Sequence, residues 1–173
     1  RPDHFRGVAT VVNRLFNLTR CSVAAFGLKD FQQAQVIKKM KHDLHLPVDL
    51  LFGETVREAD GVAMSSRNAY LDPSQRKLAR LIPESLEWVR RETSDARKDA
   101  TYLRKGMEKI LLSQPGIDVQ YIEFVDPDTL DPIQSIETRA QVLLAVYIGT
   151  TRLIDNIVVG TDSKTKQFKE LSV

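Results

Sequence analysis

Apolar residues at Val8, Val11, Val12, Leu15 and Phe16 recur with the i, i+3, i+4, i+7, i+8 spacing of a helix that buries one face. The run Ser22-Val23-Ala24-Ala25-Phe26, closed by Gly27, predicts a short buried strand. Asp30 opens a second helical pattern that turns Ala34, Ile37, Met40 and Leu44 inward, and Pro47 ends it ahead of a second strand over 48–52. Helix, strand, helix, strand with short connections is the rhythm of an α/β unit built on a parallel sheet. Two strands are too few to bury both faces of such a sheet, so part of it is expected to lie outside the chain.

Residues 55–68 carry no clean period and contain Asp60-Gly61, a turn signal. Asp72-Pro73 predicts a helix start, with Asp as N-cap and Pro at the first helical position. Helical pattern runs over 73–91, with a kink expected at Pro83, and again over 94–113. From Gly116 the pattern changes to strands over 119–125, 140–148 and 151–158, with Gly149-Thr150 as a hairpin turn. The expected division is an α/β part over 1–70, a small α+β domain over 71–160 and a polar tail over 161–173.

Composition narrows the class. The chain has 173 residues, 42% of them apolar and 28% charged, which is enough apolar surface for a core and excludes disorder over most of its length. One cysteine, Cys21, excludes an intrachain disulfide framework and fits a reducing compartment. No apolar run approaches the ~18 residues of a membrane span. The net charge of +2 gives no argument for nucleic-acid binding. Arg1 is not an initiator methionine and the following residues lack a signal-peptide layout, so the chain is expected to begin inside a longer protein.

Two stretches carry chemistry. At Phe26-Gly27-Leu28-Lys29-Asp30-Phe31-Gln32-Gln33 a strand ends, a glycine allows a tight turn and a helix begins. The free backbone N–H groups of that helix start suit a phosphate or carboxylate, and Lys29 adds a full charge. The same residues also read as a plain helix cap, with Asp30 as N-cap and Gln33 reaching back. At Met64-Ser65-Ser66-Arg67-Asn68 two hydroxyls and a planar guanidinium can close on an anion together. Alternatively Ser65 or Ser66 caps a short helix. His42 and His45 lack a third ligand nearby and read as helix surface. Asp126-Pro127-Asp128 with Asp131-Pro132 reads as turns, Cys21 as a small buried residue, and Lys38-Lys39-Lys41 as a solvated face.

Three motifs in order, Arg1-Pro2-x-His4-Phe5-Arg6-Gly7-Val8, Phe26-Gly27-x-Lys29-Asp30-Phe31-Gln32-Gln33 and Asp60-Gly61-x-Ala63-Met64-Ser65-Ser66-Arg67-Asn68, resemble the pantothenate synthetase family. Thr150-Thr151-Arg152-Leu153-Ile154-Asp155-Asn156 is similar to that family's closing hairpin, so the resemblance runs from Arg1 to about Val159. It implies an α/β fold: part of a Rossmann-type nucleotidyltransferase domain with a parallel sheet, then a small α+β domain with an antiparallel sheet that closes over ATP. The implied activity is ATP-dependent ligation of pantoate and β-alanine through a pantoyl-adenylate. The alternatives are a non-catalytic nucleotide-binding module of the same fold, or another adenylate-forming nucleotidyltransferase.

By the same resemblance, Lys29 serves the nucleotide phosphate and the reacting carboxylate, Asp30 the ribose and Gln33 pantoate. Ser65, Ser66 and Arg67 match the mobile phosphate-binding motif, with Gly27, Val56 and Met64 around the nucleotide and His4 an accessory residue lining the cavity. Residues 55–68 are expected to be mobile until phosphate arrives. Asp3 and Leu28 depart from the family's usual glycine and glutamate. The family's His-x-Gly-His motif is absent, since the histidines are His4, His42 and His45. Ligands for Mg²⁺ are likewise expected outside the chain. A cytoplasmic homodimer without nucleic-acid or membrane partners completes the expectation.

Overall fold

The computed structural model describes residues 2–95 and 98–160, so the polar tail expected at 161–173 lies outside the described residues. They form two compact units, with the chain passing from one to the other after Thr55. The first unit follows the predicted rhythm: α1 (Pro2–Thr19), β1 (Val23–Gly27), one 3₁₀ turn (Leu28–Asp30), α2 (Phe31–Asp43) and β2 (Asp49–Gly53). The strands pair in parallel, in register from Val23 opposite Asp49 to Gly27 opposite Gly53.

The pleat sends alternate side chains to opposite faces of this sheet. Ala24, Phe26, Leu50 and Phe52 point to one face, where Ile37 of α2 and Val8, Val12 and Phe16 of α1 pack with them. Phe16 meets Phe26 edge to face, with ring centroids 6.3 Å apart. On the other face Val23 and Leu51 remain 49% and 46% exposed. The strand predicted as buried is therefore covered on one side alone, because two strands present two apolar faces and the two helices cover one. Val11 and Leu15, predicted to face inward, are exposed for a related reason: α1 has apolar residues on more of its circumference than the sheet covers. Leu44 is also exposed, since it sits at the C-cap of α2 with non-helical backbone and rotates off the helix's buried face.

The second unit holds α3 (Pro73–Ala79), α4 (Leu81–Ser94), α5 (Ala100–Leu111) and an antiparallel sheet of β3 (Ile117–Val125), β4 (Arg139–Ile148) and β5 (Thr151–Gly160), in the order β3-β4-β5. Asp72 starts α3 as predicted: its carboxylate accepts from the Ser74 and Gln75 amides while Gln75 returns a bond to the Asp72 amide, a complete capping box. The kink expected at Pro83 takes the form of a break at Arg80, in the turn before it: Pro83 has no amide to donate to the Ala79 carbonyl, and it lies in the first turn of α4, where the missing donor costs nothing. The next helix begins at Ala100 rather than 94, because Asp99 caps the Tyr102 amide at 2.6 Å.

Leu86, Val89, Leu103, Met107 and Leu111 of α4 and α5 bury against Phe124, Val142, Leu144 and Val146 of the sheet. Gly149 turns the β4–β5 hairpin with φ +59°, a conformation glycine adopts without strain. Where α4 and α5 meet, Trp88 lies over Gly106 so closely that a Cβ there would fall 1.9 Å from the ring. Gly106→Ala is therefore expected to destabilise the fold by about 1–2 kcal/mol, overpacking outweighing the ~1 kcal/mol gained in helix propensity. Chemical denaturation midpoints check it.

Candidate functional site

In the first unit the two parallel strands end side by side on glycines, Gly27 opposite Gly53. A Cβ on Gly27 would meet nothing within 4 Å, so its backbone stands open at the carboxyl end of the sheet. That end of a parallel sheet is where ligands of α/β folds bind. The chain then makes its 3₁₀ turn and enters α2. Leu28 and Phe31 anchor the turn, each 3% exposed, which leaves Lys29 half-buried, Asp30 exposed and Gln33 half-buried on the first turn of α2. Leu28, at the position where the resemblance puts a glutamate, thus serves as a core residue.

Asp30 makes no side-chain cap hydrogen bond. Asp30 stands at the N-cap of α2 as read from the sequence, with φ −93° and ψ 60° outside the helical region, but the capping box does not form because its carboxylate does not turn back onto the helix amides. Both side chains are left for other partners at the mouth of the helix. His4 lies exposed on α1, its ring edge-on to Phe5 at 5.4 Å.

The second unit begins with the stretch that showed no period, and it takes the form of a small hairpin. Glu58 N–H donates to the Val62 carbonyl and Met64 N–H to that of Val56, both at 2.9 Å, around the Asp60-Gly61 turn. Hydrophobic periodicity misses it because polar side chains hold it together. Arg57 makes a two-pronged pair with Asp155 of β5, Nη1 to Oδ2 at 2.7 Å and Nη2 to Oδ1 at 3.1 Å. Arg76 of α3 donates to both Asp60 oxygens, at 2.8 and 2.7 Å, and to Glu58 at 2.9 Å. Asn68 donates to Glu58 as well, and to the Ala63 carbonyl at 3.1 Å.

Directly after the hairpin, Ser65 accepts the Arg67 amide at 3.2 Å and caps a short 3₁₀ helix, Ser66–Tyr70. The cap reading of this serine holds. Its hydroxyl hydrogen stays available, and the Ser66 and Arg67 side chains face solvent, as do Val56 and Met64 on the hairpin. Arg57 and Arg76 were not singled out by motif reasoning, and Asp155 entered only as one position of the closing-hairpin resemblance, with no role of its own. The one available signal was Asp155 itself, a carboxylate set with Asn156 between the apolar pairs Leu153-Ile154 and Ile157-Val158.

The Arg76 guanidinium beside Asp60 holds that carboxyl below its ordinary value. A depressed folded-state pKa contributes stability that is fully present above the unfolded value of about 4 and disappears as pH falls through the folded value. Asp60→Asn is therefore expected to lose part of the acid-side fall in stability. Denaturation midpoints measured from neutral pH to below pH ~4 test this; superimposable slopes for the two proteins would contradict it.

Asp126 accepts from the Asp128 and Thr129 amides at 2.8 and 2.9 Å, a turn rather than a calcium loop. Among the described residues no group of three His, Cys, Asp or Glu side chains lies close enough to hold a metal ion. Among them, too, no helix is long and apolar enough to cross a membrane.

The fold has solved counterparts. The pantothenate synthetase of Thermus thermophilus superimposes with a TM-score of 0.86 at 39% identity, over 91% of this chain and 56% of that one. The pantoate-beta-alanine ligase of Francisella tularensis, solved in complex with beta-gamma ATP and β-alanine, gives 0.66 at 28% identity, over 96% and 53%. The family model for pantoate-beta-alanine ligase matches residues 1–158, and the chain belongs to that family. The pantothenate synthetases of Thermoanaerobacter pseudethanolicus and Desulfatibacillum aliphaticivorans are 46% and 48% identical, each over 92% of this chain. The chain spans 56% and 57% of their lengths.

Proposed function

We propose that the protein carrying this chain joins pantoate to β-alanine at the expense of ATP, releasing AMP and pyrophosphate. In the first step a pantoate carboxylate oxygen attacks the α-phosphorus and pyrophosphate leaves, giving pantoyl-adenylate. In the second the β-alanine amine attacks the acyl carbon, AMP leaves and an amide forms. Negative charge builds on the phosphoryl oxygens in the first step, so fixed cations and hydrogen-bond donors supply much of the acceleration.

Lys29, at the mouth of α2, is assigned to the phosphate and the reacting carboxylate, Asp30 to the ribose and Gln33 to pantoate. Ser65, Ser66 and Arg67 are assigned to the phosphates, and Gly27, Val56 and Met64 to positions around the nucleotide. His4 is at most an accessory group. Mg²⁺ bound to the nucleotide would neutralise phosphate charge, and its protein ligands are assigned, from the family resemblance, to residues outside this chain. A cytoplasmic homodimer is the proposed working form.

The observation that carries this reading is the family match along residues 1–158, which includes both donor-bearing stretches. The test is AMP release by the full-length protein with ATP, Mg²⁺, pantoate and β-alanine. AMP formed with pantoate and β-alanine, and not when another short hydroxy acid replaces pantoate, supports it. Pyrophosphate exchange with an unrelated acid would point instead to another adenylate-forming enzyme.

A further inference from the structure

We propose that Arg57 and Asp155 form a latch that holds the 56–64 hairpin on β5 and so sets the position of the nucleotide-side groups that follow it. The nucleotide part of this proposal rests on the ligase reading above. Asp155 stands opposite Leu144 in the sheet register, and its side chain is 1% exposed. A carboxylate ionised there needs its lone pairs fully engaged. Both oxygens lie on the Arg57 fork, and Oδ1 also accepts from the Asn156 amide at 2.8 Å.

The same guanidinium donates from Nη1 to the Gly61 carbonyl at 3.0 Å, at the hairpin's turn. One side chain thus joins β5 to the apex of the hairpin, while the backbone of Arg57 bridges to Ala63 on the returning limb. Met64 and Ser65 come next in the chain. A two-pronged Arg–carboxylate pair fixes direction as well as distance, which a lysine on a flexible stem does not. Stability alone is a weak reason for such a pair, because apolar residues of similar volume often replace a buried ion pair without loss. Geometry is what the apolar pair cannot reproduce. Arg57 and Asp155 are therefore positioning residues.

The discriminating variant is Arg57→Met combined with Asp155→Leu in the full-length protein, compared with wild type and with Arg57→Lys. Three quantities are measured: the melting midpoint, hydrogen exchange at the Glu58, Gly61 and Met64 amides that the hairpin protects, and steady-state kinetics for ATP and pantoate. The double variant is expected to melt within a few degrees of wild type, to exchange those amides several-fold faster, and to lose about 10–100-fold in kcat/KM for ATP. The KM for pantoate is expected to stay unchanged, with Arg57→Lys falling between the two proteins.

A double variant that keeps wild-type amide protection overturns the latch. Faster exchange with unchanged kcat/KM for ATP overturns its role toward the nucleotide. Should the double variant unfold, the same comparison is made on Arg57→Lys, with the same outcomes deciding. Wild-type protein that forms no AMP overturns the ligase reading and the nucleotide role together, and amide exchange then decides the latch alone.

Discussion

Lys29→Ala in the full-length protein is expected to slow pantoyl-adenylate formation about 10²–10³-fold, the usual cost of removing one preorganised donor to transition-state charge. The melting midpoint is expected to move by no more than a few degrees. The two halves of this expectation have different physical origins. The turn that carries Lys29 is seated by Leu28 and Phe31, each 3% exposed, so the backbone keeps its place without the ammonium. The rate effect follows from charge: Lys29 stands one residue before the end of the 3₁₀ turn that feeds α2, whose N-terminal dipole places partial positive charges there that favour an anion. Removing the full charge leaves only those partial ones. Pyrophosphate exchange reads adenylation directly, without the amide-forming step. Unchanged exchange would remove Lys29 from the chemistry, and an unfolded variant would show its role to be structural.

What the sequence made legible was what local chemistry decides. The Asp72-Pro73 start was readable because every atom of that capping box lies within four residues. The two helices of the first unit were readable because Val8, Val12 and Phe16 in one and Ala34, Ile37 and Met40 in the other recur at helical spacing, and the strands because short apolar runs end at Gly27 or follow Pro47. The same rule failed for Val11, Leu15 and Val23, because a period records which residues are apolar and not whether anything covers them. Asp30 does take the N-cap position of α2, but residue type does not say whether its carboxylate bonds the helix amides, and here it does not. Of the hairpin at 56–64 only the Asp60-Gly61 turn was legible. The hairpin hangs on Arg57, whose partner is 98 residues away in sequence, and no window along the chain sees such a pair. The motifs at Lys29 and at Ser65–Arg67 were legible only through the resemblance. Their spacing alone left cap and ligand site undecided.

Residues 1–173 expressed alone are expected to form no pantothenate from ATP, Mg²⁺, pantoate and β-alanine, even though both donor-bearing stretches are present. The first reason is structural. A parallel sheet is ordinarily covered on both faces, yet Val23 and Leu51 stay half-exposed on the open side of β1 and β2. Uncovered apolar faces and open strand edges favour association over a defined binding cleft. The second reason is chemical. The three histidines, His4, His42 and His45, are exposed on or just after the two helices of the first unit, and none belongs to a His-x-Gly-His motif, so a charge-bearing part of the implied phosphate site is not supplied by these residues. The third is length: the pantothenate synthetase of Thermoanaerobacter pseudethanolicus is covered over 56% of its length. AMP release by purified 1–173 is the measurement, repeated after adding in trans the preceding part of a full-length relative. Silence alone with turnover on complementation is the expected pair of results. Turnover by 1–173 at the rate of an intact relative would show that Lys29, Ser65, Ser66 and Arg67 suffice, and that the open sheet face needs no cover for catalysis.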